Sequence, residues 1–271
     1  MILKIYQADA FTSQVFGGNP AALVPLLEWL PDAKMQNIAA ENNLAETAFI
    51  IPNGEDSDYA IRWFTPSIEV RLCGHATLAA AHILYEHLGF EKPILRFDSL
   101  SGVLTVKKQA NTTYTLDFPT DILRGYDLIS KEAEIIRNVL NINPIAVFKG
   151  RDDFMAVLSS EKDVANLKPN FTGLKQLDAR GLIATAKGDN VDFVSRCFFP
   201  EAGIEEDPVT GSAHTTMVPY WAEQLGKMNL SARQISKRGG ELSCLLRGVR
   251  VERFILPNCS AQYGTDRKSV V

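Results

Sequence analysis

Glu46 is an acidic residue in an apolar setting, because it stands between Leu44 and the apolar run at residues 48–51. A carboxylate at the edge of a buried strand is partly removed from water, which disfavours its charged form. Such a group can give and take a proton near neutral pH, as general acid–base catalysis requires. An isolated glutamate is more often a solvated surface residue, so on these residues alone both interpretations stay open.

A helix that begins at Gly74 and His75 offers a second chemical feature. Residues 61–89 predict a strand, a turn and then a helix that is apolar nearly all round, so we expect the helix to be buried at the centre of the fold. No Asp, Asn, Ser or Thr stands at its capping position, so the first backbone N–H groups are expected to be free for a substrate carboxylate. The helix dipole should lower the pKa of His75 and favour a neutral imidazole.

The same pattern returns in residues 193–221, where Gly211 matches Gly74 at an offset of 137 residues, about half of the chain. A match at this distance suggests two halves of like construction, each supplying one helix N-terminus to a shared cleft. Asp207 stands just before the second helix, where Asp-Pro is also common in simple turns. Chance similarity is the alternative, since an aromatic residue and a proline followed by a turn and a glycine before a helix are common at the boundaries of secondary-structure elements.

The cysteines and the remaining histidines do not predict a metal site. The four cysteines lack C-x-x-C or other metal-like spacing, so free thiols in a reducing compartment are expected; they are Cys73, Cys197, Cys244 and Cys259. His82, His87 and His214 form no convincing ligand pair and are predicted to be structural or solvated.

Composition limits the class of protein. The chain has 271 residues, a formal net charge of −4 and 46% hydrophobic residues, as is typical of a globular protein. No cluster of Lys and Arg suggests a nucleic-acid partner. No apolar run approaches the roughly 20 residues that a membrane-spanning helix needs, and the N-terminus resembles a strand rather than a signal peptide. We therefore predict a cytoplasmic protein without nucleic-acid or membrane partners.

The remaining pattern predicts a mixed α/β chain in two parts. Helices are predicted from Asp32, as the cap, to about residue 42, from Ser130 to about 140, and from Ser212 to about 225, where Pro219 should kink the last one. Strands are predicted at 3–8, 21–26, 45–51, 94–97, 102–107, 113–118, 145–149, 154–158, 181–186, 191–197 and 247–255. We place an N-terminal half at 1–118, a C-terminal half at 119–255 and an atypical tail at 256–271.

Four stretches, in order, carry a resemblance to a known family. They are D-A-F-T with G-G-N-P-A (residues 9–12 and 17–21), N-L-A-E-T-A-F (43–49), R-W-F-T-P with E-V-R-L-C-G-H-A-T (62–66 and 69–77), and E-D-P-V-T-G-S-A-H (206–214). They resemble the PhzF-like proteins of phenazine biosynthesis. This resemblance implies a diaminopimelate-epimerase-like fold: two pseudo-symmetric halves, each a curved, mostly antiparallel sheet around a central helix. A homodimer is also implied. The tail after about residue 256 departs from the family pattern, so we expect it to pair poorly with the first half.

The resemblance also implies roles for individual residues. Glu46 matches the glutamate that shuttles the proton. His75 and Asp207 match a supporting acid/base and orienting pair, and Ser212 matches a hydrogen-bond donor. The residues implied to bind substrate are Asn19, Cys73, Gly74, Thr210 and Gly211.

The chemistry that the resemblance implies is an isomerisation without cofactor or metal. In diaminopimelate epimerase two opposed cysteines act as bases; Cys73 stands at one of those places, but Thr210 stands at the other and is too weak an acid to serve unaided. In the family's named member a proton moves within dihydro-hydroxyanthranilate. We therefore expect proton transfer by one glutamate on a small cyclic or amino-acid-like carboxylate. The alternatives are an epimerase or racemase of the same fold, or a non-catalytic protein-interaction role.

Overall fold

The protein is described by a computed structural model that covers residues 2–14, 16–54, 56–109, 113–255 and 269–270. The chain forms two compact units. Unit 1 comprises Met1–Asp117 with Arg253–Val271, and unit 2 comprises Phe118–Glu252. Among the described residues, no helix is both long and apolar enough to cross a membrane.

In its described residues, unit 1 contains a mostly antiparallel set of strands and two helices. In chain order these elements are β1 Ile2–Leu3, β2 Tyr6–Ala10, β3 Asn19–Pro25, α1 Asp32–Asn42, β4 Glu46–Pro52, β5 Tyr59–Phe64, β6 Glu69–Val70, α2 Gly74–His87, β7 Ile94–Asp98, β8 Leu104–Lys108 and β9 Tyr114–Pro119, whose last two residues belong to unit 2. Two of the strand pairs, β3 with β4 and β5 with β7, are parallel. Neighbours β2–β3, β4–β5, β5–β6, β7–β8 and β8–β9 pair antiparallel.

The helix α2 lies at the centre of unit 1, as its sequence predicts. Every residue from Gly74 to Tyr85 is buried, and the helix packs on β2, β3 and β4. Small alanines on several faces let these strands approach the helix closely, while Leu78, Ile83 and Leu84 bury larger apolar side chains. The helix α2 is therefore buried on all sides because its surface is apolar on all sides.

The first helix, α1, has a different start from the one that the sequence predicts. Asp32 is the first helical residue rather than the cap; Pro31 holds the cap position, and no side chain makes a capping hydrogen bond. The carboxylate of Asp32 instead forms an ion pair with Arg62, with an Oδ1–Nη1 distance of 2.9 Å. The prediction of Asp32 as a cap was wrong because the helix begins one residue earlier than predicted, so the carboxylate lies in the first turn, where it pairs with Arg62. The helix ends at Asn42, and its C-cap residue Asn43 has a left-handed φ of 50°.

Unit 2 repeats the same kind of architecture. Its elements are β10 Arg124–Tyr126, α3 Lys131–Leu140, β11 Ala146–Lys149, β12 Asp153–Val157, α4 Glu161–Ala165, α5 Phe171–Leu174, β13 Gly181–Lys187, β14 Phe193–Phe199, β15 Ile204–Asp207, α6 Ala213–Leu225, β16 Asn229–Gln234, β17 Gly240–Arg247 and β18 Arg250–Ile255, which continues into unit 1. Ser130 caps α3 by accepting from the N–H of Ala133, which confirms the predicted start.

The two units share one order of strand pairing. In unit 1 the pairs run antiparallel, parallel, antiparallel through β2, β3, β4 and β5, and in unit 2 they do so through β11, β12, β13 and β14. A short strand then pairs antiparallel with the fourth strand, and a helix follows: β6 with α2, and β15 with α6. The fourth strand next pairs parallel with β7 or β16. The internal repeat that the sequence predicts is therefore present in the topology.

Several predicted boundaries differ from the structure. β16, β17 and β10 were not predicted, and the predicted strand at 247–255 is divided between the end of β17 and β18. α6 continues through Pro219 as one helix. Of the tail, residues 256–268 and 271 lie outside the described residues. Ser269–Val270, which we label β19, pairs antiparallel with β1, although we expected the tail to pair poorly with the first half.

Candidate active site

Four predicted site residues come together in unit 1 around the start of α2. Glu46 is the first residue of β4, Asn19 the first of β3, Cys73 the N-cap of α2 and His75 its second residue. All four residues are at most 9% exposed. Gly74 begins the helix, and no side chain makes a capping hydrogen bond at its N-terminus.

The loop before β3 brings Asn19 to this cluster. Gly18 has a φ of +61°, and a Cβ atom there would lie 2.0 Å from the carbonyl oxygen of Ala10. Only glycine fits so close an approach in a left-handed conformation. Ala10 pairs with Asn19 across β2 and β3, which places the amide of Asn19 next to His75.

His75 lies between the other three side chains. Its Nε2 is 2.9 Å from Glu46 Oε2, and its Nδ1 is 3.3 Å from Asn19 Nδ2 and 3.5 Å from Cys73 Sγ. Because an amide nitrogen only donates, a neutral ring in this position would accept at Nδ1 and carry its hydrogen on Nε2. The Nε2–Oε2 contact has the distance of an ion pair but not the geometry of a hydrogen bond, since Glu46 Oε2 has no hydrogen-bond partner among the described residues. The two groups are close enough to share one proton once the ring or the carboxylate turns.

The prediction that the pKa of His75 is lowered was wrong. Burial alone lowers the pKa of His75, but the nearby Cys73 and Glu46 side chains raise it well above its usual value. Burial and the charge of Glu46 also raise the pKa of Cys73, so this side chain is a neutral thiol at pH 7. Glu46 is therefore the charge that favours protonated His75. A full charge in contact outweighs the helix dipole, which is equivalent to about half a charge.

The same three residues carry possible metal-ligand atoms. One ligand atom each from Glu46, Cys73 and His75 lies within 4.8 Å of the others. Coordination requires a thiolate and an unprotonated ring nitrogen. Since the pKa values of both His75 and Cys73 are raised, a metal ion would have to displace protons from both. The arrangement suits proton transfer better than metal binding at neutral pH.

The predicted residues of the second motif form another cluster, in unit 2, before and at the start of α6. Asp207 ends β15, and Thr210 donates its hydroxyl hydrogen to Asp207 Oδ2 at 2.5 Å. Both residues are buried. Gly211 lies in the turn that follows, and its carbonyl oxygen accepts from the N–H of His214 at 3.2 Å. Ser212 holds the N-cap position of α6. The ring of His214 contacts the Thr210 carbonyl oxygen through Nδ1 at 2.8 Å, so this histidine supports the turn.

Gln234 fixes this turn, and sequence reasoning missed it. Its Oε1 accepts from the N–H of Thr210 at 2.8 Å, and its Nε2 donates to the carbonyl oxygen of Asp207 at 2.7 Å. The side chain is fully buried. One signal was available: in β16 the alternation places Gln234 on the same face as the buried Leu230 and Ala232, where an amide is unusual.

Arg180 and Asp153 were also missed. Both nitrogens Nε and Nη2 of Arg180 donate to the Asp153 carboxylate, and Nη2 also lies 3.2 Å from Ser212 Oγ. These residues come from β12, from the position before β13 and from the start of α6. No local pattern in the sequence connects them.

The repeated strand order, with a central helix that begins at a polar cluster in each unit, defines the diaminopimelate-epimerase-like class of mixed α/β proteins. A hydroxyproline epimerase from Agrobacterium vitis shares this fold, with a TM-score of 0.62 at 9% identity over 93% of this chain and 89% of that chain. An identity this low shows the fold alone.

The family is shown by closer matches. Residues 8–254 match the PhzC-PhzF family, described as phenazine biosynthesis-like protein. An uncharacterized isomerase from Pseudomonas aeruginosa is 48% identical over 251 residues, covering 93% of this chain and 94% of that protein. A crystal structure of a PhzF-family protein from Enterococcus faecalis has a TM-score of 0.87 at 46% identity, covering 94% of this chain and 95% of that chain. The chain belongs to the PhzC-PhzF family.

Proposed function

We propose that this protein is a cofactor-independent isomerase that moves a proton within a small cyclic or amino-acid-like carboxylate, with Glu46 as the acid and base. The observation that carries the proposal is the contact of 2.9 Å between Glu46 Oε2 and His75 Nε2. Glu46 is 9% exposed, so the carboxylate is largely withdrawn from water. Its relatives include a protein named as an isomerase.

The Glu46–His75 pair can support a proton shuttle for a simple reason. In such a shuttle the Glu46 carboxylate takes a proton from a substrate carbon, and a protonated His75 within ion-pair distance balances the negative charge that the carboxylate carries before and after the transfer. When Glu46 redelivers the proton to another carbon on the same face, it becomes a carboxylate again, and His75 can donate a hydrogen bond to it. Asn19 restricts the orientation of the ring, because it contacts the opposite nitrogen.

A two-base epimerisation is less well supported by the side chains. Burial raises the pKa of the Cys73 thiol, so little thiolate is available near pH 7. Thr210 stands at the matching place of the second motif and donates its hydrogen to Asp207. Cys197 lies opposite Asp207 in the strand register, but burial raises its pKa well above the usual value. One carboxylate is thus the better candidate base.

The cluster at the start of α6 in unit 2 has polar groups that are suited to binding an anionic ligand. Ser212, with the backbone N–H groups at the start of α6, offers donors suited to a carboxylate. Asp207 accepts from Thr210 and is held in place through Gln234, which suits a fixed acceptor for a substrate hydroxyl or amine.

Deuterium uptake from D₂O, followed by ¹H NMR, tests the function without knowledge of the product. The panel is dihydro-hydroxyanthranilate, diaminopimelate, L-proline and trans-4-hydroxy-L-proline. We expect the parent to exchange a carbon-bound hydrogen of at least one carboxylate. Glu46→Gln keeps shape but cannot shuttle a proton, so the rate should fall by about 10² to 10⁴.

The matched control is Glu41→Gln, the same change at an exposed position of α1. This control should exchange at the parental rate. If Glu46→Gln exchanges as fast as the parent while Cys73→Ser does not, the epimerase alternative replaces this proposal. A folded parent that exchanges nothing and binds none of the panel would favour the non-catalytic role.

A further inference from the structure

Ser212 holds the N-cap position of α6 but does not cap the helix. Its φ and ψ are −60° and −37°, a helical conformation, and its side chain makes no capping hydrogen bond. A serine at an N-cap ordinarily accepts from an N–H group two or three residues on. Here Oγ lies 3.2 Å from Nη2 of Arg180 instead. A long-range contact has therefore replaced the local one.

Arg180 is held firmly enough to set the position of this hydroxyl. Its Nε donates to Asp153 Oδ1 at 2.9 Å, and its Nη2 donates to Oδ2 of the same carboxylate, which is 3% exposed. The guanidinium lies over the ring of Phe199, with 4.9 Å from its carbon to the ring centroid. A Cβ on the next residue, Gly181, would lie 2.2 Å from Phe199 Cδ1, so glycine is needed for this stacking.

The charge of Arg180 is permanent. Burial alone lowers the pKa of Arg180, but the hydrogen bond and the charge of Asp153 raise it above its usual value. The guanidinium donates and never accepts. Ser212 Oγ can therefore only accept from Arg180, and its own hydrogen must point elsewhere. Among the residues that the structure describes, no acceptor for that hydrogen is found.

We propose that Arg180, anchored by Asp153, is a positioning residue that turns the Ser212 hydroxyl so that its hydrogen is presented to a carboxylate oxygen of the substrate. This inference rests on the proposed function for the identity of the ligand. A hydroxyl that accepts from a charged donor is polarised and becomes a better donor itself. The arrangement would give unit 2 a preference for anionic substrate groups over neutral ones.

The test uses Arg180→Lys in the full chain. Lysine keeps the charge opposite buried Asp153, which protects folding, but its single ammonium lacks the fork that reaches both Asp153 and Ser212. Arg247→Lys is the control, since Arg247 is 65% exposed on its side chain and has one contact of 3.5 Å with Glu252. Ser212→Ala and the double variant Arg180→Lys/Ser212→Ala complete a cycle.

The first readout needs no activity. In a crystal structure of Arg180→Lys, Ser212 Oγ should turn to accept from an N–H of its own helix, as serine does at an ordinary N-cap. If Oγ keeps its position without Arg180, the positioning role is wrong, whatever the protein catalyses.

The second readout separates binding from turnover in the deuterium-uptake assay. Arg180→Lys and Ser212→Ala should each raise KM about tenfold with little change in kcat, and the double variant should be no worse than Ser212→Ala. If the increases in KM of the two single variants multiply in the double variant, the positioning role is overturned and the proposed function is left intact. Absence of exchange in the parent would count against the proposed function, and the crystallographic result would then decide the inference.

Discussion

The guanidinium of Arg196 holds the carboxylate of Glu206 through two hydrogen bonds of 2.7 and 2.8 Å. Arg196 also lies over the ring of Phe198 at 5.3 Å. Unit 1 has the same arrangement, with Arg62 bound to Glu69 at 2.7 and 2.6 Å. In each unit this pair ties the fourth strand to the short strand that leads to the central helix. The arginine of each R-x-F sequence and the glutamate that it binds therefore have a structural role next to the candidate site residues.

Arg196→Lys should destabilise the protein by about 1–3 kcal/mol, because lysine cannot form both bonds to Glu206 and also replace the bond from Arg196 Nη1 to the Leu167 carbonyl oxygen. Urea unfolding followed by circular dichroism measures the change. Arg151→Lys is the control, since Arg151 is 77% exposed on its side chain and pairs with Asp152 at 3.2 Å. Equal stabilities of the two variants would contradict the structural role of Arg196.

Protonation of His75 should stabilise the fold in a defined pH range. Glu46 and Cys73 raise the pKa of His75 above its unfolded value of about 6.5. The folded state then holds this proton more tightly, so the stabilisation is fully present below about pH 6.5 and is lost as the pH rises through the raised folded pKa. The stability advantage of the parent over His75→Gln should therefore be larger near pH 6 than near pH 9.

Urea unfolding at the two pH values measures this difference, and His87→Gln, an exposed change at the end of the same helix, is the control. Ring ¹⁵N–¹H correlation spectra give a direct check, since Glu46→Gln should lower the pKa of His75. A His75 ring that titrates identically in the parent and in Glu46→Gln would show that Glu46 does not hold its proton.

The sequence predicted those features that depend on neighbouring residues. The apolar surface of α2 predicted its burial, Ser130 predicted the start of α3, and two short motifs predicted the repeated architecture. The features that it missed depend on contacts between distant parts of the chain. Asp32 pairs with a residue 30 positions away rather than capping its own helix.

The site follows the same rule. The sequence around His75 shows only the dipole of its own helix, whereas the decisive charge comes from Glu46 on another element. Arg180 reaches Ser212 across 32 positions, and Gln234 reaches Thr210 across 24. Such pairs are invisible to periodicity and capping rules, because the topology of the sheet decides which strands become neighbours.

Cys73 should react slowly with alkylating reagents although it lies in the candidate site. The thiolate is the reactive form, and burial with the charge of Glu46 raises the pKa of Cys73 while the side chain is only 5% exposed. Iodoacetamide near pH 7 should modify Cys73 far more slowly than it modifies the thiol of glutathione under the same conditions. Mass spectrometry of the Cys73 peptide measures the rate. Cys73→Ser should change the deuterium-uptake rate by less than about tenfold, well short of the effect expected for Glu46→Gln. Rapid alkylation at Cys73 that abolishes exchange, together with an inactive Cys73→Ser, would instead identify the thiol as a base.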